Sequence, residues 1–375
     1  MRGGLVTLFL CGDVMLGRGV DQILPNPGDP VLRETYVRDA RAYVEMAEAV
    51  NGPIPRPVDF SWPWGEALQV LDEAATDARI INLETSVTQA GRFAPGKEVH
   101  YRMNPANLPC LAAARPDVCV LANNHVLDFG LGGLDETLRA LAGARLRTAG
   151  AGRDAGEAGR PAIIPVDGGG RVLVFSCGTA SSGIPHGWAA TAEHGGVDFV
   201  AAPSGAAAAG ITSRVRQVKR PGDIAVVSIH WGANWGFGIS RDEVRFAHAL
   251  IDGGADMVHG HSSHHPRPVE MYRGKLILYG CGDFVDDYEG ISGYERYRDD
   301  LRLLYLVTAD PVTGTPAAVR MVPFQTRRMR LRHASHDDAD WLRTVLHRIS
   351  RDFGSRVVRE PDGTLVLRSP RERAR

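Results

Sequence analysis

Cysteine is scarce in this chain: five residues in 375, at Cys11, Cys110, Cys119, Cys177 and Cys281, with no CxxC pair. Odd in number and widely scattered, they exclude a zinc ribbon and a disulfide framework. Cys11, Cys119 and Cys177 lie in apolar runs, where a free thiol behaves as a small hydrophobe, and a reducing compartment fits. An excess of either charge is also missing, since 43 Lys+Arg stand against 44 Asp+Glu. That balance argues against strong sequence-independent attraction to nucleic acid or an anionic membrane. No segment approaches the ~20 apolar residues of a membrane helix. The N-terminal run Leu5–Leu10 stops at Cys11-Gly12-Asp13, too short for a signal peptide with its cleavage site. It reads as the first buried strand, and the expected location is cytoplasmic. Internal repeats are lacking as well.

What is present suits a folded enzyme-sized domain. The hydrophobic fraction is 44%, ample for a core without disulfides or oligomerisation. Short apolar runs recur at Leu5–Leu10, Ala78–Asn82, Val118–Ala122, Ile224–Ile229 and Met257–His259. Rich in Val, Ile and Leu with little polar alternation, they suit strands buried on both faces. Helical patterns intervene at Trp64–Ala75, Gly133–Ala142 and Arg241–Ile251, so the fold class is layered α/β. Hairpins are expected at Val172–Ser176 after Asp167-Gly168-Gly169-Gly170, at Lys275–Tyr279 after Arg273-Gly274, and across Asp310–Gly314. These antiparallel pairs imply mixed sheets, or two sheets face to face. Pro25–Pro30 and Pro53–Pro63 read as an excursion covering one face, and Ala201–Gly210 as a loop into a short helix. We expect one domain over 1–325, with a helix/strand extension over 326–375 packed on or trailing it and ending in the charged tail Arg368–Arg375.

Each strand-like run ends in polar residues: Gly12-Asp13, Asn82-Leu83-Glu84, Asn123-Asn124-His125, His230-Trp231-Gly232, and the run from His259 to His265. In α/β sheets, sites form beyond the carboxyl ends of strands. Carboxylate and imidazole together are the ligand set of zinc, manganese or iron. Taken singly, each position has a plain reading. Asp13 would cap a turn, Glu84 start a helix, Asn124 form an Asx-turn and a lone histidine sit in the core. Five such clusters in succession favour a metal site. His125 suits acid/base work if Asn124 is a ligand, and His230 follows its strand directly. Among His259, His261, His264 and His265, spacing does not choose.

The segments Gly12–Arg18, Asn82–Thr85, Ala122–His125 with Asp128-Phe129-Gly130, His230–Gly232, Phe246–Asp256 and Gly260-His261 through Glu270 resemble CapA-type capsule-biosynthesis proteins. In order, they cover roughly residues 5–290, the size of one large domain. The resemblance implies a four-layer α-β-β-α sandwich of the metallo-dependent phosphatase type, with mixed sheets and a two-metal site at the strand ends. It implies Asp13, Glu84, Asn124, His230, His261 and His264 as metal ligands, with His125 as the catalytic acid beside Asn124. Three departures stand out. Met15 occupies the place of the histidine in the superfamily's Asp-x-His motif, and a thioether is a poor ligand for hard ions. Gly282-Asp283-Phe284 replaces the usual Gly-Asn-Phe, so Asp283 either lies near the site or caps a turn. No membrane anchor is seen, unlike many members.

One or two divalent ions (Mn, Fe or Zn) would activate water for attack on a phosphoester or an amide such as a γ-glutamyl bond. Arg18, Arg102 and Lys97 are candidate binders of an anionic small-molecule, peptide or polymer substrate, with plain surface charge as the alternative. Trp231, Trp235 and Asp283 are candidate pocket residues. Competing functions are a non-catalytic accessory protein of capsule or polymer biosynthesis with a degenerate metal site, and a tailoring hydrolase in a peptide or small-molecule pathway.

Overall fold

The computed structural model describes residues 4–167 and 170–368. Gly168 and Gly169 of the expected hairpin turn, and residues 369–375 of the charged tail, lie outside the described residues. Six strands carry the site: β1 (Val6–Val14), β2 (Ala78–Leu83), β3 (Val118–Val120), β4 (Ile224–His230), β5 (Met257–His261) and β6 (Asp283–Val285). In the first sheet β1, β2, β3 and Arg147–Ala149 run parallel. Leu301–Ala309 then adds to the other side of β1 antiparallel, followed by Pro316–Thr326 and the C-terminal strands Leu365–Arg368 and Arg356–Arg359. In the second sheet Arg171–Thr179, β4, β5 and Lys275–Leu278 are parallel. Ala162–Pro165 and Val269–Tyr272 pair antiparallel at its hairpins.

The two-residue period of the strands builds the layers. Leu8 and Leu10 of β1 share one buried cluster with Ile80, Val120, Val174, Val226, Met257 and Leu278, so the sheets pack face to face. Phe9 and Cys11 face the other way, onto helices Arg41–Asn51, Ala67–Glu73, Leu108–Ala113 and Gly130–Gly143. On the second sheet Phe175, Val227 and Val258 meet helices Gly205–Val218 and Arg241–Asp252. The result is the four-layer α-β-β-α sandwich with mixed sheets. Leu342 and Leu346 of helix His336–Ser350 enter the core between the sheets.

Local differences from the sequence reading have identifiable causes. The helix expected over Trp64–Ala75 begins at Ala67. Gly65, at φ +47, makes a turn so close to Leu331 that a Cβ would lie 2.0 Å from its carbonyl oxygen. Ser204 caps Gly205–Val218, a 14-residue helix where a loop with a short helix was expected. Helix Arg41–Asn51, with Tyr43, Val44 and Ala47 buried, falls between the two Pro-rich stretches and was not anticipated. Strand β5 continues to His261, which sets His259 and His261 on one face.

Candidate metal centre

The parallel strands of both sheets bring their carboxyl ends to one edge. There β1 is irregular: its pairing with β2 shifts register between Leu10 and Asp13. Gly12 lies against Gly282, and a Cβ on Gly12 would sit 1.5 Å from the Gly282 carbonyl oxygen. The Asp13 N–H donates to that oxygen at 3.0 Å. Two Gly-Asp dipeptides thus pack back to back, and Asp13 falls level with Asn82 on one side and Asp283 on the other. In the second sheet, the β4–β5 pairing sets His230 opposite His261.

Two overlapping donor groups result: Asp13, His230 and His261, and Asp13, His264 and Asp283. Within each, one ligand atom per residue lies within 4.8 Å of the others, and all are buried. Glu84 Oε1 stands 3.6 Å from His230 Nε2 and 3.7 Å from His125 Nε2. Asn124 Oδ1 is 2.9 Å from His230 Nε2. The structure therefore brings together Asp13, Glu84, Asn124, His125, His230, His261 and His264. Asn82 ties the carboxylates, its Nδ2 donating to Asp13 Oδ1 at 2.7 Å and Glu84 Oε2 at 3.2 Å. Ser262, at a left-handed φ of +96, aims its N–H at Asp13 Oδ2, 3.2 Å away.

Hydrogen-bond logic separates the four histidines of the last motif. His259 Nε2 lies 2.8 Å from the Cys11 carbonyl, so it donates. Burial holds His259 neutral, with its pKa pushed down to about 4, so Nδ1 accepts from the Ser228 hydroxyl at 3.0 Å. Ser228 Oγ in turn accepts from His261 Nε2–H at 2.9 Å. That fixes the tautomer of His261 and leaves its Nδ1 lone pair facing His230 Nδ1, 2.8 Å away. His265 turns aside, accepting from the Gly236 N–H.

The electrostatics fit a divalent ion. Asp13, Glu84 and Asp283 are buried, and none makes an ion pair with Lys or Arg among the described residues. Burial, then repulsion from Asp283, pushes Asp13 up to about 7. Burial with Asp13 and Asp283 lifts Glu84 well above the carboxylate range. His230 and His261 are driven well below the usual imidazole value by burial. Asp283 Oδ2 has no hydrogen-bond partner. His264 goes the other way: burial lowers it, but Asp283 and then Asp13 raise its pKa above the usual imidazole value. Buried carboxylates gathered with imidazoles and without Lys or Arg are a donor set that a cation would satisfy.

His125 Nδ1 donates to Asp128 Oδ2 at 2.7 Å, leaving Nε2 toward Glu84. Burial and then Lys97 push its pKa down to about 4, so the neutral form prevails. Asp128 also accepts from the Tyr101 N–H at 2.7 Å and from Lys97 Nζ at 2.5 Å. Its role in orienting His125 was missed, although an aspartate three residues on was visible. A cavity of about 190 Å³ opens over these groups, lined by Glu84, Lys97, Asn124, His125, Asn234, His264 and Tyr288.

Three substrate candidates lie elsewhere. The Arg18 guanidinium is buried and held by both oxygens of Asp287, at 2.8 and 2.5 Å, and by Glu34 at 2.9 Å. Arg102 lies 3.7 Å over the Phe129 ring, outside the cavity. Trp231 is buried against Tyr279, to whose carbonyl its indole N–H donates at 2.9 Å, and packs the core. Of the two readings of Asp283, the structure gives the one near the site: it begins β6 beside Asp13 and does not cap a turn. Trp235 stacks on Tyr294 at 3.9 Å and flanks His264.

The chain is 57% identical over 364 residues to a "probable polyglutamine synthesis accessory protein" of Mycobacterium tuberculosis, covering 97% of this chain and 96% of that one. It is 29% identical over 296 residues to the PGA biosynthesis protein CapA of Bacillus subtilis, covering 78% and 66%. Among solved structures, a phosphatase of Mycoplasma pneumoniae superposes with TM-score 0.46 at 10% identity, covering 87% of this chain and 96% of that one. A 5'-nucleotidase precursor of Thermus thermophilus gives 0.48 at 15%, covering 92% and 58%. No helix among the described residues is long and apolar enough to cross a membrane. The bacterial capsule synthesis protein PGA_cap family matches residues 7–288, and the chain belongs to that family.

Proposed function

We propose that this protein is a metal-dependent hydrolase acting on an amide or phosphoester link of an anionic substrate. The observation that carries this reading is the His125–Asp128 pair, whose free Nε2 lies 3.7 Å from Glu84 on the cavity wall. Asp13, Glu84, Asn124, His230, His261 and His264 would hold one or two divalent ions, Mn, Fe or Zn. Such ions supply Lewis acidity and a water of lowered pKa. The chain's own residues do the rest. Asp128 keeps His125 Nδ1 protonated and the ring oriented, so proton exchange with a reacting group takes place at Nε2. Lys97, which lines the cavity, pairs with Asp128 and lies 5.0 Å from the centroid of the Trp188 ring, would attract a substrate carboxylate or phosphate. The names of the relatives, which concern polyglutamine and PGA synthesis, weight the substrate toward a glutamate polymer and its amide links.

The test is turnover of poly-γ-glutamate oligomers and of a p-nitrophenyl phosphodiester by metal-loaded protein, beside His125→Ala. The expected result is cleavage of one class, falling by about 100-fold or more in the variant with metal content unchanged. Metal-loaded protein that cleaves neither class supports the second reading, a non-catalytic accessory protein, which Met15 and the mycobacterial relative's name favour.

A further inference from the structure

The stretch Asp283–Asp287 carries three buried carboxylates, and two of them have a cation. Asp287 is bridged by Arg18, and Asp286 pairs with the fully buried Arg302. Asp283 has neither. Its Oδ1 accepts from His264 Nδ1 at 2.9 Å, and its Oδ2, buried with the rest of the residue, has no partner. The backbone places it there deliberately. Asp13 N–H bonds Gly282 O, β1 pairs with β6 in parallel, and Asp13 stands opposite Asp283. Met15, two residues beyond Asp13, is buried and offers only a thioether, a poor donor for a hard ion.

We infer that Asp283 is itself a metal ligand, completing a site with Asp13 and His264 that is richer in oxygen than its neighbour on Asp13, His230 and His261. The inference rests on the metal-site reading of the proposed function. Its chemistry follows from the donors. Two carboxylates and one imidazole suit a hard ion, whereas two imidazoles and one carboxylate suit zinc as well or better. The two positions therefore differ in metal preference, and Asp283 sets the difference by adding a negative charge where a neutral oxygen such as that of Asn would hold a hard ion far more weakly. Because Gly12 and Gly282 are in contact, the carboxylate is held on a rigid strand end rather than on a loop.

The experiment is reconstitution of chelator-stripped protein with Mn2+ and Zn2+, alone and in equimolar competition, read by elemental analysis and by Mn2+ electron paramagnetic resonance. Wild type, Asp283→Asn and Asp283→His are compared, with circular dichroism to establish folding. Wild type should hold about two equivalents and retain Mn2+ in competition. Asp283→Asn should drop to about one equivalent and lose the bound Mn2+ signal, while Asp283→His should keep about two with a lower Mn-to-Zn ratio. Two equivalents at an unchanged ratio in folded Asp283→Asn would overturn the assignment while sparing the metal site. Should Asp283→Asn not fold, an unchanged ratio in Asp283→His would overturn it instead. Wild type that takes up no metal would overturn both this inference and the reading beneath it.

Discussion

The first motif of the chain, Gly12 to Arg18, feeds two buried charged clusters that lie side by side and differ in kind. Around Arg18 each carboxylate reaches the one guanidinium: Asp287 and Glu34 pair with it, Tyr43 donates to Glu34, and the Tyr43 ring centroid lies 3.6 Å from it. Around Asp13 none does. Asp13, Glu84 and Asp283 face imidazoles, with no lysine or arginine bridging any of them among the described residues. Membership of a motif does not distinguish the two; whether each carboxylate reaches a guanidinium does. Buried carboxylates held by a guanidinium are structural, and those gathered without Lys or Arg are where an external cation would be accommodated.

Breaking the Arg18 cluster should have the largest effect. Arg18→Met strands Asp287 and Glu34 in the interior and should cost about 3–5 kcal/mol, read by chemical denaturation, with metal per folded molecule unchanged. The Asp13 cluster should respond in the opposite sense. Asp13→Asn, which touches both donor groups, should deplete bound metal yet stabilise the chelator-treated protein by about 1–3 kcal/mol, by relieving an uncompensated buried anion. Loss of stability in the stripped variant would mean that the Asp13 cluster is closed by contacts within the protein. The finest distinction lies behind the cluster. Ser228→Ala removes the link between His259 and His261, frees the His261 tautomer and should weaken metal binding by about tenfold. Imidazole 15N shifts of the metal-free protein would show the Nε2–H form of His261 giving way to a mixture. A single unchanged tautomer would assign its orientation to packing alone.

Much of this was legible before folding was considered. The apolar runs ending in Asp13, Glu84, His125 and His230 marked strands and the edge where they stop, because a strand buried on both faces admits few polar residues until it emerges. The donor-bearing histidines of the last motif were not separable, because His259, His261, His264 and His265 are chemically alike in one dimension. Strand β5 runs two residues further than its apolar pattern, and the Cys11 carbonyl and Ser228, from other strands, determine which nitrogen points where. Ser228 and Asn82 did carry a usable signal, each lying two residues before a site residue and so on the same strand face. Lys97 had no signal tying it to His125, being brought there from a loop 28 residues away.

The surroundings of Arg18, Arg102 and Asp283 were legible only in three dimensions. An arginine in a motif reads as an anion binder until its carboxylate partner, 269 positions along the chain, is found against it. Asp283 reads equally as a carboxylate near the site or as a turn cap until β6 lies parallel to β1. The sequence by itself determined the layered α/β architecture, the edge that bears the site and the residue types gathered there, because periodicity and strand length are local properties. The tertiary structure alone decided which buried carboxylates meet a guanidinium and which do not, because that depends on distances between strands that no local pattern encodes.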